Sequence, residues 1–195
     1  MELYRVDPHW FRRTNHALGS LIVVYYLLPA EICFYIKRET LALIFLFIPL
    51  TIEIRRRYRK ALFVGLREHE KNRIASYVWF ASTAVMLLLV FPQQIAAPLI
   101  IIVAFSDPVI GELKRFGFWY SKAGGVIVSF TIFLIFHYSP HLAVFGAALS
   151  VIGEHPKHRF IDDDFLMPMV AAVGLGIIYL FNPGLFPEKL LEAFI

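Results

Sequence analysis

Seven apolar runs, at about residues 17–36, 40–54, 74–91, 94–106, 124–138, 141–152 and 165–181, fill most of the 195-residue chain. The charges are confined to the short breaks between them. A helix needs about 20 apolar residues to cross a bilayer, with a range of roughly 17–25. The first, third and seventh runs meet that length, and the second, fourth, fifth and sixth fall short. Prolines mark the ends of the short runs (Pro49, Pro92, Pro98, Pro140). Helices that stop inside the protein leave non-helical backbone at membrane depth, which is tolerated where it lines a cavity. The expected fold is therefore all-α: a polytopic membrane helix bundle of about seven transmembrane segments, some short or broken, in one integral-membrane domain over 1–195.

Composition supports this class. Only 17% of residues are charged and 58% are hydrophobic, whereas a soluble domain carries about 25% charged residues. The net charge of +4 does not imply a nucleic-acid partner, because the basic residues do not gather on one face. They follow the positive-inside pattern instead. With the N-terminus in the cytoplasm, segments 1–16, 55–73, 107–123 and 153–164 hold 16 of the 19 Lys and Arg residues, leaving Lys37, Arg38 and Lys189 outside. The first 16 residues are then cytoplasmic and 182–195 form an extracytoplasmic tail with a short interfacial helix from Leu185. No cleavable signal peptide is expected at the N-terminus. The single Cys33 excludes an internal disulfide, and no repeat of 20–50 residues is visible.

Most polar residues at the run ends have plain readings. Arg12, Arg13 and His16 make a basic flank with an interfacial histidine. Glu31 is an acid near the outer end of the first run. Tyr77, Trp79 and Phe80 read as an aromatic belt. Glu53 differs, since it lies inside an apolar run one turn before Arg56, so the two can meet on one helix face. Arg67 and Glu70, three apart, can brace the mouth of the third helix or contact a phosphate.

Two stretches ask for chemistry. Ser106-Asp107-Pro108 follows an apolar run and leads through Gly111 and Gly117 to Lys122. Asp before Pro reads as an N-cap opening a short helix, Pro108 to Phe116, closed by Gly117. A carboxylate, small residues and a fixed cation are also the parts of a phosphate-and-metal site. The second stretch, Asp162-Asp163-Asp164, enters a run that is apolar to Phe181. One acid suffices for a cap, and three adjacent carboxylates repel unless a cation neutralises them.

With these loops in view, the chain resembles the dolichol kinase and phytol kinase family of CTP-dependent lipid-alcohol kinases, which is related to the membrane cytidylyltransferases that make CDP-lipids. The resemblance runs from His16 to Phe181. Its main marker is Ile161-Asp162-Asp163-Asp164-Phe165-Leu166-Met167-Pro168, similar to the family's I-D-D-N-L-T-I-P, with Glu154 upstream. Asp107-Pro108, Gly111, Gly117 and Lys122 resemble its nucleotide signature. Glu53 with Arg56, Arg67 with Glu70, and Arg13 with His16 follow the same order as in the family. Asp164 stands where the family usually has Asn, and Ala123-Gly124-Gly125 lacks the glutamate that follows the family's lysine.

The resemblance implies a membrane-embedded kinase that moves the γ-phosphoryl of CTP to a long-chain isoprenoid or polyprenyl alcohol with Mg²⁺. In that scheme Asp107 and Asp163 hold the Mg²⁺, and Lys122 neutralises phosphate charge. The backbone at Gly111 and Gly117 admits the nucleotide and Arg67 contacts it. Asp162 or Glu154 accepts the hydroxyl proton or completes the metal shell. The implied partners are the lipid alcohol, the nucleotide and membrane lipid, with no nucleic acid. The oligomeric state is open, a homodimer included. Two other readings stand beside it: a cytidylyltransferase making a CDP-lipid from a lipid phosphate, which requires basic residues such as Lys114, Arg115 and Arg159 near the metal, and a non-catalytic transporter or assembly subunit.

Overall fold

The computed structural model describes residues 7–33, 36–60, 66, 70, 73–153 and 161–188. Among these residues there are seven α-helices: α1 Pro8–Gly19, α2 Arg38–Arg59, α3 Ser76–Val90, α4 Gln93–Leu113, α5 Phe118–Ile135, α6 Pro140–Ile152 and α7 Asp163–Phe181. A helical stretch Gln93–Phe116 and helices α5 and α7 are long and apolar enough to cross a membrane. The helix bundle is thus as expected. Seven full crossings are a further reading, taken up below.

The first apolar run, 17–36, is not one helix. α1 continues into a 3-10 helix, Ser20–Leu27, and then the chain turns. Leu28 is extended (ψ 141°), as the residue before a proline prefers, and Pro29 ends the helix. Beyond it β1, Glu31–Cys33, and β2, Ile36–Lys37, pair antiparallel as a small hairpin. The helical path from Pro8 to Leu27 is roughly 34 Å long at the usual rises of the two helix types. The element therefore starts about nine residues earlier than hydropathy alone suggests, because α1 is amphipathic and its polar face is occupied by the protein.

α4 is the central element and packs against α1, α3, α5 and α7. Ile95, Leu99, Ile100, Ile102, Val103 and Ala104 are all buried along it. It runs straight through Pro98 and Pro108. Asp107 is consequently not an N-cap, and no separate helix opens at Pro108; only a 3-10 turn, Lys114–Phe116, follows. An interior proline costs about 3 kcal/mol or more through a lost hydrogen bond and a clash. Burial of apolar side chains, at about 1.5–3 kcal/mol each, outweighs that in a helix with most of its apolar residues buried. Gly117 does close the corner, with φ 124°, a region that side chains other than hydrogen disfavour.

Small residues let the helices touch. A Cβ on Gly153 would stand 2.6 Å from Met167 Cα, so the end of α6 lies directly on the backbone of α7. Outward faces remain apolar, with Phe47, Ile127, Ile135, Val144, Val173 and Leu180 all exposed. Among the described residues the tail does not continue as a helix from Leu185, and 189–195 lie outside the described residues. Pro183–Leu185 is a single 3-10 turn, and Phe186 is buried with its ring against Tyr138 and Tyr179.

One polar centre is structural. Arg56 donates to both oxygens of Glu53 at 2.7 Å. Glu53 also accepts from Arg57 at 3.0 Å and from the Tyr77 hydroxyl at 2.8 Å. Arg56 reaches the carbonyls of Glu70 and Arg73 as well, and Glu70 accepts from the Ser76 N–H at the start of α3. The expected meeting of Glu53 and Arg56 is therefore present, and Glu70 braces the mouth of the third helix; Arg67 lies outside the described residues. Removing one partner of a buried pair costs about 3–5 kcal/mol. Arg56→Ala should accordingly lower the unfolding midpoint of the detergent-solubilised protein sharply, and an unchanged midpoint would show that the network carries no stability.

Candidate metal centre

At the start of α7 the three aspartates divide their work. Asp162 is the N-cap, extended at φ −83° and ψ 156°, and its side chain accepts from the Asp164 N–H. That bond is 3.2 Å long. It satisfies one of the orphan donors of the helix end. Asp163 is the first helical residue and is half-buried. Asp164, next along, is only 2% exposed, and its carbonyl accepts from the Thr83 hydroxyl of α3 at 3.1 Å.

Opposite them, α4 presents Asp107 and Glu112 to α1. Arg12 NH2 stands 3.8 Å from Asp107 Oδ2, and Arg13 bonds Glu112. Arg115 is also near Glu112, at 3.6 Å. These pairs hold α1 against the last turns of α4. They also bring His16, one turn on from Arg12 and Arg13, under the protein surface. His16 is 7% exposed and meets the edge of the Phe80 ring at 5.5 Å. Its Nε2 lies 3.7 Å from Asp164 Oδ2. Its Nδ1 makes no hydrogen bond among the described residues.

His16, Asp107 and Asp164 thus come from three helices that are remote in sequence, and one ligand atom from each lies within 4.8 Å of the others. Atoms bound to one divalent ion at about 2.1 Å stand roughly 3.0–4.2 Å apart. The 3.7 Å between His16 Nε2 and Asp164 Oδ2 falls inside that range. A nitrogen and two carboxylates can hold a divalent ion and leave positions for a phosphate oxygen.

The residues expected from sequence are distributed as follows. Asp107 is in the cluster, and so is Asp164, the third aspartate; Asp163 stands beside it at the head of α7, and Asp162 caps the helix. Lys122 is inside α5 rather than in a loop, with its Nζ 5.6 Å from the Phe118 ring centroid. Gly111 sits on an exposed part of α4 with open space where a Cβ would be. Gly117 forms the corner. Arg67 and Glu154 lie outside the described residues. The sequence reads His16 as part of a basic flank and, with Arg13, as one piece of the family resemblance, not as a metal ligand. The i, i+1, i+4 spacing of Arg12, Arg13 and His16 puts His16 one turn from both arginines on one helix face.

Compared with protein-family models, curated proteins and solved structures, the chain matches none.

If Asp162 acts as a cap, Asp162→Asn should retain the unfolding midpoint of the parent, since Asn caps as well as Asp, while Asp162→Ala should lose about 1 kcal/mol. Equal midpoints for the two variants would remove the capping role.

Proposed function

We propose that the protein is a membrane-embedded, CTP-dependent kinase that phosphorylates a long-chain isoprenoid or polyprenyl alcohol, with seven crossings and its N-terminus in the cytoplasm. The observation that carries the reading is that Asp107 and Asp164, from the two stretches that resemble the kinase signatures, approach one point 57 residues apart in sequence. Apolar outward faces on the helices and the gathering of 16 of 19 Lys and Arg residues in alternate breaks between the apolar runs support the membrane placement.

Phosphoryl transfer is chiefly positioning and charge neutralisation. A divalent ion such as Mg²⁺ would supply the neutralisation of the nucleotide phosphates when bound. Asp107 and Asp164 are placed to hold it. Arg12 and Arg13, beside those acids, can take phosphate oxygens through their planar donor forks. Lys122 and the open flank of α4 at Gly111 border the approach for the nucleotide. Asp163, at the head of α7, is the carboxylate available to accept the proton of the lipid hydroxyl. Apolar helix surfaces let the chain of the alcohol lie in the bilayer with its hydroxyl at the rim.

One observation favours the cytidylyltransferase reading. A lipid phosphate acceptor demands cations at the metal, and Arg12 lies 3.8 Å from Asp107, with Arg13 on Glu112 of the same helix. Position of the label decides between them. Purified protein incubated with γ- or α-labelled CTP, Mg²⁺, isoprenoid alcohols and lipid phosphates should transfer the γ label to an alcohol. Transfer of the α label to a lipid phosphate would establish the cytidylyltransferase, and no labelled lipid would remove both. Asp107→Asn should reduce turnover at least about 100-fold, a loss on the scale of a lost electrostatic contact in a reaction centre, with the folded state retained by unfolding midpoint.

A further inference from the structure

The nitrogen in the cluster bears on which ion belongs there. The kinase reading expects Mg²⁺, a hard ion that takes oxygen ligands and keeps much of its water. A purely carboxylate site would suit it. Here α1 brings an imidazole to the two carboxylates. His16 is more than nine-tenths buried, and the ring nitrogen nearest the carboxylate of Asp164 is Nε2. The 3.7 Å from His16 Nε2 to Asp164 Oδ2 is too long for a hydrogen bond and falls within the spacing of two ligands on one ion. Phe80 holds the ring edge-on from the other side, and Gly19 lets α1 lie close against that ring. The pairs of Arg12 with Asp107 and Arg13 with Glu112 fix the helix that carries the imidazole.

We infer that His16, Asp107 and Asp164 form a mixed nitrogen–oxygen site for a transition-series divalent ion, and that the site selects such an ion over Mg²⁺. Imidazole is a better ligand for transition-series divalent ions than for magnesium, whereas carboxylates and water suit magnesium and manganese alike. Mn²⁺ satisfies both donor types and prefers a coordination number that leaves places for phosphate oxygens. This inference concerns the same site as the kinase reading and deepens it by naming the ion. It does not need the reaction to be phosphoryl transfer.

The test is made on the full chain in detergent, free of any histidine tag, stripped of metal and without nucleotide. Mn²⁺ is titrated in, and the loss of the free-ion signal in electron paramagnetic resonance counts the bound ions. One Mn²⁺ per chain is expected, retained against a tenfold excess of Mg²⁺. Pulsed spectra of the bound ion should carry the modulation of a directly bonded ¹⁴N, replaced by that of ¹⁵N when the protein is made with ¹⁵N-histidine, which requires no variant. His16→Gln should abolish the nitrogen modulation and weaken Mn²⁺ binding at least tenfold, and Asp164→Asn should weaken it as much. Binding without nitrogen modulation, displacement by equimolar Mg²⁺, or no bound Mn²⁺ would each overturn the inference and leave a buried histidine–aspartate pair. Nitrogen-ligated Mn²⁺ in a protein that labels no lipid would uphold the inference and sink the kinase reading. Lipid labelling with no nitrogen on the ion would do the reverse.

Discussion

The structure depends on a helix that is apolar on every side and still delivers a carboxylate. α4 packs against α1, α3, α5 and α7, and its only place is the middle of the bundle. Asp107 near its end is only partly buried, with 22% of its side chain exposed, and a charge partly withdrawn from water is stabilised by a partner. It has to meet cations or hydrogen-bond donors from whichever helices lie next to it. α1 meets that demand with Arg12, and the same contact sets where His16 falls. The site is therefore a consequence of how the central helix is enclosed rather than a feature of a loop.

Two polar centres lie at the same end of the bundle, and they differ in how they are built. Glu53 accepts from Arg56, Arg57 and Tyr77, and Arg56 fills its remaining donors on backbone carbonyls. Such a closed set is what a structural anchor between α2 and α3 looks like, and it has no place for a ligand. The cluster of His16, Asp107 and Asp164 draws instead on three helices, with one ligand atom from each within 4.8 Å of the others. Thr83 and Phe80 of α3 support both Asp164 and His16 from below, so α3 links the anchored centre to this one.

Much of this was legible in the order of residues. The run lengths specify helices and their lack of charge a bundle with apolar faces. The spacing of Glu53 and Arg56 predicts their contact because three residues on a helix span less than one turn. Asp107 and the aspartates of α7 stand out because charge is rare in such runs. Other features were not legible. Asp before Pro resembles a helix start, and only the enclosure of α4 makes the helix continue through it. The first run looks like one span, but Pro29 breaks it and the polar face of α1 extends it backwards. Choosing Asp164 over Asp163 as the inward carboxylate depends on a rotation of 100° per residue about an axis that the cap at Asp162 sets.

The sequence by itself determined the class of element and which acids are out of place, since these follow from local hydropathy and helical spacing. The tertiary structure alone decided that a histidine from the first helix joins two aspartates from the fourth and seventh. That meeting depends on how α1 and α7 seat against α4, and long-range packing of this kind leaves no periodic trace in the chain.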